Sequence, residues 1–229
     1  MMALSPADWL AVGVTLKLCL YTTGILMLLA TPLSLWLAAG SGRLRSLVQA
    51  LVALPLVLPP TVLGFYLLLA LGPQGWVGGT LERLGIGHLA FSFEGILIGS
   101  VIYSLPFAVQ PLQQAFRQMG RRPHEVAGSL GAGPIDRFLT ITLPLARSGF
   151  VVAATLTFAH TLGEFGVILM IGGSIPGETH VLSTTIYAHT EAMDYAAANR
   201  LSLLLLGCAL AVLTVIYFAG YRRPAVVQP

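Results

Sequence analysis

The run from Leu10 to Ala39, LAVGVTLKLCLYTTGILMLLATPLSLWLAA, decides the solvent of this chain. Its 30 residues carry a single charge, Lys17. A helix rising about 1.5 Å per residue needs only ~20 apolar residues to cross a hydrocarbon layer of about 30 Å. Four more apolar runs follow, Leu47 to Leu71, Phe91 to Phe116, Gly149 to Ile171 and Leu201 to Gly220. The whole chain agrees: 229 residues, 56% hydrophobic and 9% charged, with mean hydropathy +0.84. Soluble domains carry roughly 25% charged residues. No stretch alternates apolar and polar residues over about 10 positions, as a membrane barrel strand would. The expectation is an all-α membrane protein, one domain over residues 9–221 with five spans near 17–39, 47–71, 93–116, 149–171 and 201–220. The first run is too long for the bilayer, so its embedded part is expected to begin near Lys17, with Trp9 as an interfacial anchor. A cleaved signal segment competes for this end, but the leader contains Asp8 and no basic residue.

Orientation follows from the basic residues. Arg43 and Arg45 follow the first span, Arg117, Arg121, Arg122, Arg137 and Arg147 surround the link between the third and fourth, and Arg222 and Arg223 follow the fifth. The opposite side holds Arg83 and Arg200, with Lys17 near that boundary. The arginine-rich side is therefore expected in the cytoplasm, with the amino terminus periplasmic and the carboxyl terminus cytoplasmic. The net charge of +3 is this topological bias and gives no reason to expect nucleic acid as a partner. Cys19 and Cys208 fall inside apolar runs as small hydrophobes, and the five histidines show no zinc-ligand spacing, so no metal is expected. The short link from Gly40 to Ser46 makes the first two spans antiparallel neighbours by expectation. The outer segments Gly72 to Ala90 and Gly172 to Arg200 are expected as loops with short helices.

The link 117–144 carries more information, because a connection of that length in a bundle is usually functional or disordered. Pro123 can open a helix with Glu125 in its first turn, where a carboxylate gains about 0.3–1 kcal/mol from the helix dipole, and Gly131 can close it. Pro134 can open a second helix with Asp136 in its first turn, and Pro144 then introduces the fourth span. Two short helices form a cytoplasmic knob, a surface for a partner.

At this link the sequence resembles the inner-membrane permeases of bacterial ABC importers. Their signature runs Glu-Ala-Ala, three residues, Gly, nine residues, Ile, one residue, Leu-Pro. It is matched by Glu125, Val126, Ala127, Gly131, Ile141, Leu143 and Pro144, with Val126 the one departure. Three further stretches are similar to the oxyanion permeases of that superfamily, those for molybdate, tungstate and sulfate: Leu54 to Pro60, Thr161 to Gly166, and Ile175 to Thr179. The resemblance implies a type I importer transmembrane domain. It would work as a homodimer with two cytoplasmic ATPases and a periplasmic oxyanion-binding protein, moving molybdate or a related oxyanion inward. It also implies an ATPase-coupling set of Glu125, Val126, Ala127, Gly131, Ala132, Gly133, Ile141, Leu143 and Pro144. A binding-protein docking tip would comprise Pro176, Gly177, Glu178 and Thr179.

The remaining candidates come from the residues themselves. Pro55, Pro59 and Pro60 each delete a backbone donor, so the second span should kink or unwind, as a hinge on a translocation path or as a packing feature. Glu164 is an ionisable group inside a span, which costs about 2.5–3.5 kcal/mol at the centre of a membrane helix, so it should face the bundle interior or an interface, in a gate, at the subunit seam, or simply satisfying donors between helices. Gly163 and Gly166 flank it, and His160 lies one turn earlier at a spacing that permits pairing. Pro55, Pro59, Pro60, Thr61, Gly163, Glu164 and Gly166 form the expected path or gate. A conduit should bind its cargo weakly, through backbone donors and hydroxyls such as Thr61, Thr155 and Thr157. The outer side carries Asp8, Glu82, Glu94, Glu178, Glu191 and Asp194 against Lys17, Arg83 and Arg200, so it would not attract a free oxyanion. No catalytic residue is expected. The only lysine follows no glycine-rich phosphate loop, so this chain would bind no cofactor, and ATP-Mg would sit on a separate ATPase. A secondary transporter with Glu164 and His160 as a proton relay is the rival from another class.

Overall fold

A 33-residue helix, α1 (Pro6–Ala38), opens the chain. Ser5 caps it: its hydroxyl accepts the N–H of Asp8, and the Asp8 carboxylate accepts the N–H of Ser5 in return. At about 50 Å α1 overshoots a bilayer, as its apolar length requires. The computed structural model describes residues 4–85, 87–120 and 122–221, so Arg121, Arg222 and Arg223 of the charge argument lie outside the described residues. Helix is the regular structure throughout those residues.

The second span is not one helix. It comprises α2 (Arg43–Val57) and α3 (Pro60–Leu71), which meet at 111°. α2 runs straight through Pro55, and the chain breaks at Leu58–Pro59, where two successive prolines leave no donor to continue the ladder. α2 packs chiefly on α5, not on α1, so the expected pairing of the first two spans is replaced by a shared core. A short helix, α4 (Gly78–Arg83), lies in the first outer segment. The third span, α5 (Phe93–Met119), is capped by Ser92 and stays continuous through Pro106 and Pro111.

The link 117–144 folds as expected into α6 (Arg122–Ser129) and α7 (Pro134–Arg137), then a π-helical turn Phe138–Thr142 and α8 (Leu143–Leu145). The fourth span is shorter than the sequence suggested. α9 (Arg147–Leu162) meets the segment before it at 74° and stops at Gly163, and α10 (Gly166–Gly172) folds back onto α3 and α5. After the outer loop and α11 (Leu182–Glu191), α12 (Tyr195–Tyr221) begins six residues before the expected Leu201, which draws Arg200 into the helix. Among the described residues three helices are long and apolar enough to span alone, and counting the two bent pairs brings the number to five.

α1, α5 and α9 form the centre. Leu26, Ala30, Leu37, Leu112, Phe116 and Ala153 share its largest cluster. Gly149 lets α9 close on α5, because a Cβ there would stand 2.3 Å from the Cβ of Ala115. Leu20, Leu28, Leu29, Leu203, Leu206 and Leu210 face outward. Apolar surface on the outside is what a lipid solvent demands.

Candidate functional site

The two interruptions meet. The first turn of α3 docks against the start of α10, where a Cβ on Gly166 would lie 2.8 Å from the Pro60 ring. Beside this contact is a cavity of about 420 Å³ lined by Pro60, Thr61, Tyr103, His160, Gly163, Glu164, Phe165, Gly166, Leu169 and Met170. Five of the seven path residues named from sequence converge here. Pro59 sits at the bend, and Pro55 is buried within α2 and does not line the cavity.

Glu164 is only 4% exposed, and neither carboxylate oxygen has a hydrogen-bond partner. The hydroxyl of Ser100 on α5 is likewise buried and unpaired. The backbone around Glu164 is better satisfied: its N–H reaches the Thr161 carbonyl at 3.2 Å, and its carbonyl accepts the Ser183 hydroxyl.

His160 does not pair with Glu164. The helix ends at Leu162, so the one-turn spacing no longer sets the geometry. His160 Nδ1 instead lies 2.9 Å from Ser104 Oγ, and its ring stacks on Phe107 with centroids 4.0 Å apart. Ser104 also meets Thr161 Oγ1 at 3.1 Å. The Glu164–His160 relay of the rival reading thus lacks its direct bond. Of the hydroxyls named for the path, Thr61 lines the cavity, Thr157 is buried with its Oγ1 unpaired, and Thr155 donates to the Val151 carbonyl.

Tyr103 and Phe165 were missed by sequence reasoning. The signal for Tyr103 was present: Ser100, Tyr103, Ser104 and Phe107 recur at helical spacing, a polar and aromatic stripe in an apolar run.

The inner knob presents the other candidate set. Glu125 and Val126 are exposed on α6, with Ala127 half-buried. The N–H groups of Leu130, Gly131 and Ala132 turn back to the carbonyls of Val126, Gly128 and Ala127, with Gly131 at φ +83°. Gly133 precedes α7, Ile141 lies half-buried in the π-helical turn, and Leu143 and Pro144 are exposed in α8. The buried Thr142 hydroxyl lies 3.2 Å from His124 Nε2 and ties α6 to that turn. No residue of α6 is buried, and Val126, Leu130 (82% exposed), Ile135 and Leu139 show apolar side chains to the outside.

The outer tip is a knot of local bonds. The Ile175 carbonyl accepts the N–H groups of Glu178, Thr179 and His180. Pro176, Gly177 and Glu178 are exposed, but Thr179 is fully buried. Its hydroxyl donates to the Gly172 carbonyl and accepts the Ile175 N–H at 2.8 Å. Thr179 is a staple, not a contact residue. Nearby, His189 Nε2 lies 3.3 Å from Asp8 and its Nδ1 3.7 Å from Asp194, joining α1, α11 and the start of α12. Burial would raise the Asp8 carboxyl, but the bonds from Ser5 and the neighbouring His189 outweigh it and hold the group below its ordinary value.

Comparison with known proteins places the chain. The molybdenum transport system permease protein of Azotobacter vinelandii is 54% identical over 88% of this chain and 89% of its own length. A "probable sulfate transport system permease protein" of Chlorella vulgaris is 34% identical over 75% of this chain and 64% of its own length. In fold, the chain resembles a bacterial alginate ABC transporter solved in complex with a periplasmic protein carrying alginate pentasaccharide. That likeness has a TM-score of 0.73 at 20% identity and covers 95% of this chain and 78% of that one. The fold is that of a type I ABC importer transmembrane domain. The model of the binding-protein-dependent transport system inner membrane component matches residues 30–223, and the chain belongs to that family as a multi-pass permease of the inner membrane.

Proposed function

We propose that this permease moves molybdate from a periplasmic binding protein into the cytoplasm, driven by ATP hydrolysed on separate ABC ATPase subunits. One observation carries the substrate: identity of 54% over most of the chain to a molybdenum permease. One domain, residues 9–221, does the work as half of a homodimer. Its amino terminus is periplasmic and its carboxyl terminus cytoplasmic, as the arginine distribution argues. The chain itself binds no cofactor, and ATP-Mg belongs to the partner.

The knob formed by Glu125 to Pro144 is the lever. Its uncovered apolar residues fit a groove on a partner, and the left-handed turn at Gly131 sets the angle at which α6 enters. The cavity between the two broken spans is the gated part of the path. It is lined by hydroxyl, aromatic and backbone groups and the unpartnered Glu164 carboxyl, with no arginine or lysine to trap a dianion. Pro176, Gly177 and Glu178 form the docking tip. Closure of the ATPases draws two knobs together, and the bent spans transmit that movement to the cavity.

Tungstate or sulfate is the second reading, favoured by the 34% identity to a sulfate permease relative. The test is the reconstituted complex. ATP hydrolysis should rise with molybdate-loaded binding protein and much less with the sulfate-loaded form; stimulation by sulfate alone overturns the molybdate assignment, and no stimulation by any loaded protein overturns the importer reading.

A further inference from the structure

Two rulers place Lys17 at the edge of the hydrocarbon layer. Counting outward from Ala38, the inner end of α1, Lys17 is about 31 Å away. That matches a hydrocarbon thickness of about 30 Å. Independently, the Lys17 ammonium stands 4.0 Å above the ring of Phe93, the first residue of α5, so the outer end of a second span lies at the same height. Above Lys17 the headgroup layer is roughly 5–8 Å thick. One turn up, at about 6 Å, is Gly13; two turns up, at about 12 Å, is the exposed indole of Trp9.

Between this face of α1 and the outer loop is a cavity of about 340 Å³, lined by Trp9, Gly13, Val14, Lys17, Phe93 and Glu178, among others. No side chain fills the space beside Gly13, since nothing lies within 4 Å of where its Cβ would be. Lys17 and Glu178 both line the cavity but form no ion pair with each other among the described residues. A groove at headgroup height thus offers one cation low, one carboxylate in the loop, and the apolar side chains of Trp9, Val14 and Phe93 beside them.

We propose that this groove binds a zwitterionic phospholipid through its phosphoethanolamine headgroup. The phosphate sits on Lys17, the primary ammonium donates to the Glu178 carboxylate, and the acyl chains enter the hydrocarbon layer below Lys17. Charge complementarity selects this occupant. A glycerol headgroup would satisfy Lys17 through the same phosphate but offers the Glu178 carboxylate only neutral hydroxyls in place of a charge-assisted ammonium bond, and a choline headgroup has no N–H to donate to the carboxylate. The groove itself depends only on membrane depth; that it lies in the periplasmic leaflet rests on the orientation proposed above.

Native mass spectrometry of the purified, delipidated permease tests this, with phosphatidylethanolamine, phosphatidylglycerol and phosphatidylcholine of matched chains added in turn. The intact protein should retain phosphatidylethanolamine at least fivefold more than the other two. Lys17→Gln should lower retention of all three, and Glu178→Gln should abolish the preference for ethanolamine while leaving phosphate binding. Equal retention of the three lipids by the unaltered protein overturns the assignment, as does retention unchanged in both variants. If the variants keep the lipid preference but lose stimulation by the binding protein in the full complex, the groove is a docking surface for that protein and the lipid site is refuted. Failure of the molybdate reading would appear only in the ATPase assay, so the two are separable.

Discussion

Replacing Gly131 isolates the backbone geometry of the inner knob from everything else. The residue sits at φ +83°, and a Cβ placed on it would meet no heavy atom within 4 Å. Steric neighbours therefore contribute nothing, and the penalty of substitution is conformational. A left-handed backbone costs an L residue roughly 1–2 kcal/mol, less for Asn, which adopts it more readily, and most for a β-branched side chain. Opposing that penalty is little. α6 has no buried residue, and one side-chain bond, Thr142 to His124, ties it to the π-helical turn. Such a bond contributes about 1 kcal/mol net. The penalty is thus as large as the interaction that keeps the knob in shape, and 1–2 kcal/mol is a factor of about 5–30 in population. The expected series, measured as uptake and ATPase copurification in the reconstituted complex, is Asn close to Gly, Ala reduced severalfold, and Val lowest. Yield and thermal midpoint of the isolated permease should not change, because the turn lies outside the helix bundle. Uptake with Val equal to that with Gly, or Asn as poor as Val, would refute the reasoning.

Three other perturbations probe the bundle and its outer face. Gly149→Leu drives a side chain into Ala115, whose Cβ would be 2.3 Å from the new Cβ; overpacking of about 1–3 kcal/mol should lower the thermal midpoint in detergent, and adding Ala115→Gly should recover part of it. Thr15→Val removes the hydroxyl that accepts the Leu182 N–H at 2.8 Å and leaves a buried donor unpaired. A loss of about 1–3 kcal/mol is expected, with Thr15→Ser close to the parent in the same melt. Burial holds the His180 imidazole below its ordinary value of 6.5. The unfolded chain therefore takes up that proton first, and stability falls as pH drops below about 6.5. Midpoints measured from pH 7.5 to 5.5 should show a shallower acid loss in His180→Gln; an unchanged slope counts against a buried neutral His180.

Where sequence and structure part, the reason is tertiary. Lipid solvent is legible from Leu10 to Ala39 because length and apolarity suffice. The inner knob is legible because Pro123, Gly131 and Pro134 act on their own neighbours, and α6 and α7 form where they punctuate the chain. The fourth span misled because Gly149 to Ile171 is mostly apolar, and Gly163, the C-cap that ends the helix at Leu162, reads in the sequence as a flank of Glu164 and not as a stop. That ending depends on Pro60 reaching Gly166 and on Ser183 reaching the Glu164 carbonyl from 19 residues away. The pairing of His160 with Glu164 failed for the same reason: helical spacing constrains side chains only while the helix lasts. Thr179 looked like part of an exposed tip until the loop closed on its hydroxyl.

The broken spans set where this molecule can rearrange cheaply. At the α2–α3 bend the N–H groups of Val62 and Leu63 return to the Pro59 carbonyl, and at the α9–α10 bend Glu164 N–H returns to Thr161. Each bend satisfies much of its own backbone locally, which is what irregular chain at membrane depth requires. α3 and α10 also interlock, since a Cβ on Gly64 would strike the Met170 side chain at 2.7 Å, and they meet α5 through Gly99, which leaves room for Ile171 and Val167. Sliding this pair against α5 would exchange van der Waals contacts, each worth a few tenths of a kcal/mol at most, and break none of those local bonds. The Glu164 carboxyl, by contrast, is left unsatisfied, buried at the junction that such a slide would open. A cost of burial that motion can relieve biases the junction toward opening, which supports the proposed gate at the meeting of the two bends over one at either proline kink alone.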